Sequence, residues 1–436
     1  MNTPSKKLAW FGWCAYDWAN SAFATVVLAA VLPVYFLSLV PDGGASFALG
    51  EYRFTLNGAS LWGYTVSLSV LFVALLAPYL GAIADSRNLR RPMLIIFCLI
   101  GVLGTCLLAL VGPGQWLAAA FLFTLGDIGF AGGNIFYNAF LPVLASGEEI
   151  DKLSARGFAW GYAGGGLVLL LVFFMIHSPE YFGLADKIMA TRAGFLLTGL
   201  WWLVFALPAF IWVRDSSFVK PSGTVHKGLR GFFRTFLEIR PYRDLWRFLL
   251  AFLLFNDGIQ TIIVVSAVFG REELGMSQAG ILGCFLMIQF VAVPGALLFE
   301  RIAVRWSTKA AIMVCLLFFA LLTVYAFFMN NAVEFWILGL VVALILGGSQ
   351  AMSRSLYGSM IPKQKSAEFF GFYAISSKFA AILGPITFAT IAGITQSTRF
   401  AILALIFFFV MGALLLATVD VERGRKLAEN PHGKSG

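Results

Sequence analysis

The chain has 436 residues, of which 60% are hydrophobic and only 12% charged, and its mean hydropathy is +0.85. A soluble domain carries about 25% charged residues, so this composition excludes an ordinary water-soluble globular protein and predicts an all-α integral membrane protein. The net charge of +9 (pI ≈ 9.4) does not indicate a nucleic-acid partner, because the basic residues sort by side of the membrane once the spans are placed.

In chain order, apolar runs of about 20 residues, the length that crosses a bilayer as a helix, predict about twelve spans. The first, 10–39, follows Lys6 and Lys7. It holds Asp17 and Asn20 and continues to Leu39, too long and too polar for a cleaved signal peptide. Spans at 61–84, 93–112, 116–141, 158–177 and 193–213 complete a first set of six. A basic stretch follows, with Arg214, Lys220, Lys227, Arg230, Arg234, Arg240 and Arg243. The second set lies at 246–270, 278–299, 310–329, 335–361, 369–394 and 400–419. The expected organisation is an N-terminal six-helix half (1–213), a cytosolic linker (214–245), a C-terminal half (246–419) and a cytosolic tail (420–436). The linker is expected to lay a short amphipathic helix, 228–238, on the membrane surface.

With the N-terminus inside, five of the 31 Lys and Arg residues fall in outside loops: Arg53, Lys187, Arg192, Arg271 and Arg399. Two more, Arg354 and Lys378, fall within spans, and the rest lie inside. Both termini are therefore expected in the cytosol, with the chain in the cell membrane. All five cysteines fall within spans, so no disulfide framework is expected.

Five ionisable residues interrupt the apolar runs: Asp17, Asp127, Asp257, Arg354 and Lys378. A charge at the bilayer centre costs at least about 2.5–3.5 kcal/mol and usually faces a bundle interior or a water-filled path. Polar companions stand at helical spacing: Asn20 after Asp17, Gln260 after Asp257, Gln350 before Arg354, and Asn134 with Asn138 in the span of Asp127. These ten residues are the candidate substrate and proton pathway. Spans 3, 6, 9 and 12 are nearly bare of polar groups. Structural readings stand beside the functional ones. Asp17 could serve as a helix-start acid, Arg354 as an ion-pair partner of an Asp in the other half, and Lys378 as a snorkelling cation. Trp18, Tyr137, Trp160 and Tyr357 are candidates for a cavity wall.

The two sets of six look alike. Asp17-x-x-Asn20 matches Asp257-x-x-Gln260; Gly132-Gly133 leading to Pro142 matches Gly347-Gly348 leading to Pro362; Gly157-Phe158 matches Gly371-Phe372. Parallel six-helix repeats build the major facilitator fold. The loop from Gly81 to Pro92, with Asp85, Arg87, Arg90 and Arg91, resembles the G-x-x-x-D-R-x-G-R-R gating signature of that superfamily, with Ser86 and Asn88 as departures. In this reading Gly81 permits close helix approach, and Asp85 accepts hydrogen bonds from a neighbouring helix end.

Four further segments resemble one branch of the superfamily, the branch that contains the fungal vacuolar effluxer associated with autophagy. They are Tyr16-Asp17-Trp18-Ala19-Asn20-Ser21-Ala22-Phe23, Gly157 to Tyr162 with Gly164-Gly165-Gly166, Asn256 to Thr261, and Gly348 to Ser355. The resemblance spans essentially the whole chain. It implies a monomeric carrier that releases amino acids such as leucine, with spans 1, 4, 7 and 10 lining a central cavity. Charges of both signs suit a zwitterion, and a desolvated Asp suits a coupling proton. The expectation is a proton-coupled carrier for amino acids or similar small zwitterions, working by alternating access and more in export than uptake. A carrier for a drug, lipid or sugar, or a non-transporting receptor, are the alternatives. No enzyme, cofactor or metal site is expected: there is no Walker A loop, and His177, His226 and His432 all lie at helix ends or in loops.

Overall fold

The computed structural model describes residues 5–41, 43–49, 52–215, 242–380 and 382–429. The amphipathic helix expected at 228–238 lies outside the described residues. Helix dominates, because lipid offers no partners to open backbone groups. α1 (Lys6–Ala22) runs into a π-type stretch, Phe23–Ala30, and α2 (Leu32–Leu39) leaves it at 45°. Val31 N–H reaches back to the Val26 carbonyl at 2.8 Å. Pro33, in the first turn of α2, has no N–H to continue the ladder, which is the local cause of the bend.

β1 (Ala45–Leu49) and β2 (Tyr52–Leu56) pair antiparallel, Ala45 opposite Leu56 and Leu49 opposite Tyr52. The remaining helices are α3 (Gly58–Arg87), α4 (Arg90–Leu107), α5 (Trp116–Ala139), α6 (Leu141–Leu144), α7 (Glu148–His177) and α8 (Lys187–Trp212). After the undescribed stretch come α9 (Arg243–Glu272), α10 (Gln278–Arg305), α11 (Thr308–Phe328), α12 (Ala332–Ser359), α13 (Ser366–Phe379) and α14 (Leu383–Thr395). The chain closes with α15 (Thr398–Ala404), α16 (Ile406–Ala417) and α17 (Val421–Glu429).

Among the described residues ten helices are long and apolar enough to cross a membrane, eleven when the bent first pair is one span. The 30-residue α3 accounts for the remaining expected span, with Gly58–Val73 as its described apolar part. Large apolar side chains such as Leu110, Phe121, Val264, Phe328 and Leu414 are exposed on the helices, as a lipid-facing surface requires.

Four features differ from the sequence expectation. The outside loop expected at 41–60 contains the β1–β2 hairpin. Span 5, expected from 158, begins ten residues earlier, at Glu148, because Glu148, Glu149 and Asp151 favour the positive end of the helix dipole. Gly157-Phe158 therefore lies inside α7 rather than at its start. Span 11, expected as one helix over 369–394, is broken between α13 and α14. Pro385 lacks the N–H that an uninterrupted helix would bond to residue 381.

The chain forms two compact units. One comprises Met1–Leu76, Arg90–Tyr137 and Gly161–Arg214; the other comprises Ala77–Leu89, Asn138–Trp160 and Asp215–Gly436. In the first, α1 packs along α8, and α4 along α8. In the second, α10 packs along α12, and α9 along α16. A buried apolar cluster including Val265, Phe269, Cys284, Phe335 and Ala401 belongs to the second unit.

Candidate functional site

In the first unit the polar face of α1 meets α5. Asp17 is buried, and its Oδ2 accepts a hydrogen bond from Tyr137 Oη at 2.8 Å. Tyr137 is itself fixed: Trp13 Nε1 donates to its carbonyl at 2.9 Å, and the two rings stack with centroids 4.3 Å apart. One turn along, Asn20 Nδ2 donates to Asn134 Oδ1 at 2.8 Å. The i, i+3 spacing on both helices makes this two-rung ladder. Gly161 of α7 closes the third side. A Cβ there would stand 2.7 Å from Ser21 Oγ and 3.2 Å from Asp17 Oδ1. Asp127 makes a separate tie between α3 and α5, where its Oδ2 accepts from Ser69 Oγ at 2.5 Å and both residues are buried.

In the second unit Asp257 is fully buried in α9 and reaches the break between α13 and α14. Its Oδ2 accepts from the Gly384 N–H at 2.7 Å, in the first turn of α14. Gln260, one turn further along α9, is half-buried, as are Gln350 of α12 and Lys378 in the last turn of α13.

A third group also lies in the second unit. Asp85 accepts from the N–H groups of Ala367 (3.2 Å) and Glu368 (2.8 Å), and so caps the N-terminus of α13. Gly81, one turn earlier, lies so close that a Cβ would collide with the Ala367 carbonyl. Arg354 of α12, 3% exposed, donates from Nε to Ser154 Oγ (3.0 Å), from Nη2 to the Ser154 carbonyl (2.8 Å) and from Nη1 to Asn138 Oδ1 (3.3 Å). Its guanidinium also lies 4.1 Å from the Phe158 ring centroid. Beside it, buried Asp151 accepts from Thr308 Oγ1 (2.9 Å) and from Ser355 Oγ. These contacts join residues 77–89 and 138–160 to α11, α12 and α13.

The candidate residues thus sort into groups that the sequence does not separate. Asn134 and Asn138, paired by spacing, serve different partners: Asn134 bonds α1, whereas Asn138 bonds Arg354. Of the basic loop residues, Arg87 is exposed and Arg90 is buried, while Arg91 donates from Nε to the Phe210 carbonyl at 2.9 Å. Sequence reasoning missed the ties made by Ser154, Asp151 and Gly384. Ser154 and Asp151 precede the span predicted from 158. The Gly384-Pro385 pair, a helix-breaking signal inside an apolar run, could have revealed the last.

Long apolar helices with buried carboxylates, a buried arginine and a break inside one span are the pattern of a multi-pass membrane transporter. Solved structures share the fold. The proton:xylose symporter XylE aligns with TM-score 0.69 at 15% identity, covering 95% of this chain and 95% of that one. The major facilitator transporter FucP aligns with TM-score 0.70 at 12% identity, covering 95% and 98%. The chain belongs to the family described as "Vacuole effluxer Atg22 like", which it matches over residues 5–429. It is 34% identical to the MFS-type transporter YxiO of Bacillus subtilis over 96% of each chain. It is 26% identical to autophagy-related protein 22 of Coccidioides immitis, over 98% of this chain and 88% of that protein.

Proposed function

We propose that this major facilitator carrier moves amino acids or similar small zwitterions by proton-coupled alternating access, in the export direction. The observation that carries the reading is Asp257, a fully buried carboxylate within an apolar span, seated at a helix break. A carboxylate in that setting suits both a coupling proton and an ammonium group. Half-buried Lys378, four residues before the break at Ile382, supplies the opposite sign for a carboxylate. Efflux is supported by the description of the family.

Asp17, Asn20 and Asn134 are assigned to the pathway through the first unit, and Asp127 to support of α5. Gln260 and Gln350 are assigned to the pathway walls. Arg354, with Asn138 and Ser154, is assigned together with Gly81 and Asp85 to a gate that opens and closes with transport. Its hydrogen bonds to Ser154 and Asn138 favour this over direct substrate contact. The working unit is taken as a monomer of two six-helix halves in the cell membrane, with both termini in the cytosol.

Proteoliposomes filled with a pH-sensitive dye test the reading against amino acids, dipeptides, sugars and cationic drugs. Proton movement triggered by an amino-acid class, and lost in Asp257→Asn, is the expected result. Silence across the amino acids with tracer flux of another class would retire the zwitterion substrate while keeping the transporter.

A further inference from the structure

The break between α13 and α14 leaves the first N–H groups of α14 without intrahelical partners. Ile382, at the N-cap position, has an apolar side chain and cannot cap them. Asp257 supplies the cap from the neighbouring helix. Its Oδ2 takes the Gly384 N–H at 2.7 Å, and the N–H groups of Ile382 and Leu383 also bear on the carboxylate. Thr261 Oγ1, the adjacent hydroxyl, is committed to the Asp257 main-chain carbonyl at 2.7 Å. The packing is so close that a Cβ on Gly384 would collide with that hydroxyl.

One edge of the carboxylate is therefore fixed. The other oxygen, Oδ1, is buried and has no hydrogen-bond partner among the described residues. The elements packed on α9 bring few charges. α14 and α16 carry none, α13 carries Glu368 and Lys378, α12 carries Glu334 and Arg354, and α10 carries Glu300, Arg301 and Arg305. α15 carries Arg399, which pairs with Glu273 at 2.9 Å, and α17 carries Glu422, Arg423, Arg425, Lys426 and Glu429. Arg354 is engaged with Ser154 and Asn138, and Arg423 with Asp244 at 2.5 Å.

We infer that Asp257 Oδ1 is a single cation seat, occupied in turn by a proton and by the ammonium group of the substrate, so that transport is a one-for-one exchange of the two. The inference rests on the amino-acid reading above and adds the mode of coupling. A buried carboxylate oxygen without a partner calls for a donor, and this carboxylate offers one such oxygen. With the proton on, Oδ1 is a hydroxyl that points its hydrogen into the seat and excludes a second donor. With the proton off, the anion attracts an ammonium. In the exchange the O–H bond of the neutral Asp257 carboxyl breaks and its proton passes to water. The electron pair left on Oδ1 then accepts a hydrogen bond from the substrate ammonium, which keeps all its own protons. One positive charge enters the seat as one leaves, so atoms and charge balance. Oδ2 keeps the Gly384 N–H in both states, so the exchange needs no movement of the α14 terminus. Because proton and substrate exclude one another, they cross in opposite directions. An inward proton gradient therefore drives export.

The test uses the purified full-length protein in detergent with a pH indicator in weak buffer, titrated with L-leucine and, as a control lacking the ammonium, N-acetyl-L-leucine. At a pH on the acid side of the transition, where the free carboxyl holds its proton, about one proton should be released for each leucine bound and none for the control. Leucine affinity should weaken about tenfold per pH unit on the acid side of the transition. Asp257→Asn should release no proton, while Asp257→Glu, which keeps the carboxylate, should retain the release; gel filtration confirms that both fold. Leucine binding without proton release overturns the inference and leaves the amino-acid reading intact. Failure of every amino acid to bind, with binding of a sugar or a drug, overturns both.

Discussion

Asp17 and Asp257 occupy matching places in the repeated pattern, yet their neighbours differ in kind. Asp17 faces the Tyr137 phenol, whose ring is stacked on Trp13, whereas Asp257 faces backbone N–H groups at a helix end. Removing one partner of a buried hydrogen bond costs about 1–3 kcal/mol. Tyr137→Phe keeps the ring stack and removes only the hydroxyl, so it should lower stability by about that amount, seen as a lower midpoint of thermal unfolding in detergent. Arg354 offers a second test. Lysine has the charge but not the planar fork that meets Ser154 at two points, nor the flat face against Phe158. Arg354→Lys should therefore destabilise by about 1–3 kcal/mol. An unchanged unfolding midpoint would show that charge alone matters at this position.

Helix ends are where the elements of this protein are tied together. Asp85 caps α13, Asp257 caps α14, and Asp151 sits against Thr308 at the start of α11. A carboxylate satisfies orphan N–H groups and complements the helix dipole at the same time. This explains why acids recur at these junctions in a chain poor in charge. The close packing of α14 on α9 depends on the absence of a side chain at Gly384. Gly384→Ala should push α14 off α9, costing about 1–3 kcal/mol as overpacking does. It should also reduce transport in proteoliposomes. Wild-type unfolding and transport in that variant would mean that this packing yields freely.

For the molecule as a whole, the distribution of basic residues carries the topological prediction. With five of 31 Lys and Arg in the loops expected outside, a reporter active only in the cytosol should be active when fused at either terminus, and a reporter active only outside should be silent there. The opposite pattern would invert the orientation and, with it, the direction assigned to transport. The C-terminal helix α17 is also held in place. Arg423 grips buried Asp244 through Nε (2.5 Å) and Nη2 (2.7 Å), so a C-terminal fusion needs a linker beyond Glu429.

Composition, span length and motif spacing determined the class of this protein. A bilayer demands long apolar helices and penalises each charge placed within them, so both the spans and the buried Asp and Arg residues stand out along the chain itself. The polar faces of α1 and α9, and the closeness of Gly81 and Asp85 to a helix end, were legible for the same reason, since helical periodicity and a glycine are local signals. Tertiary structure alone decided the partners. Asn138 bonds Arg354 rather than following Asn134, and Asp257 caps a helix that begins more than 120 residues later. Hydrogen bonds of that reach depend on how helices pack in three dimensions, and spacing along a single helix says nothing about which neighbour fills the other side.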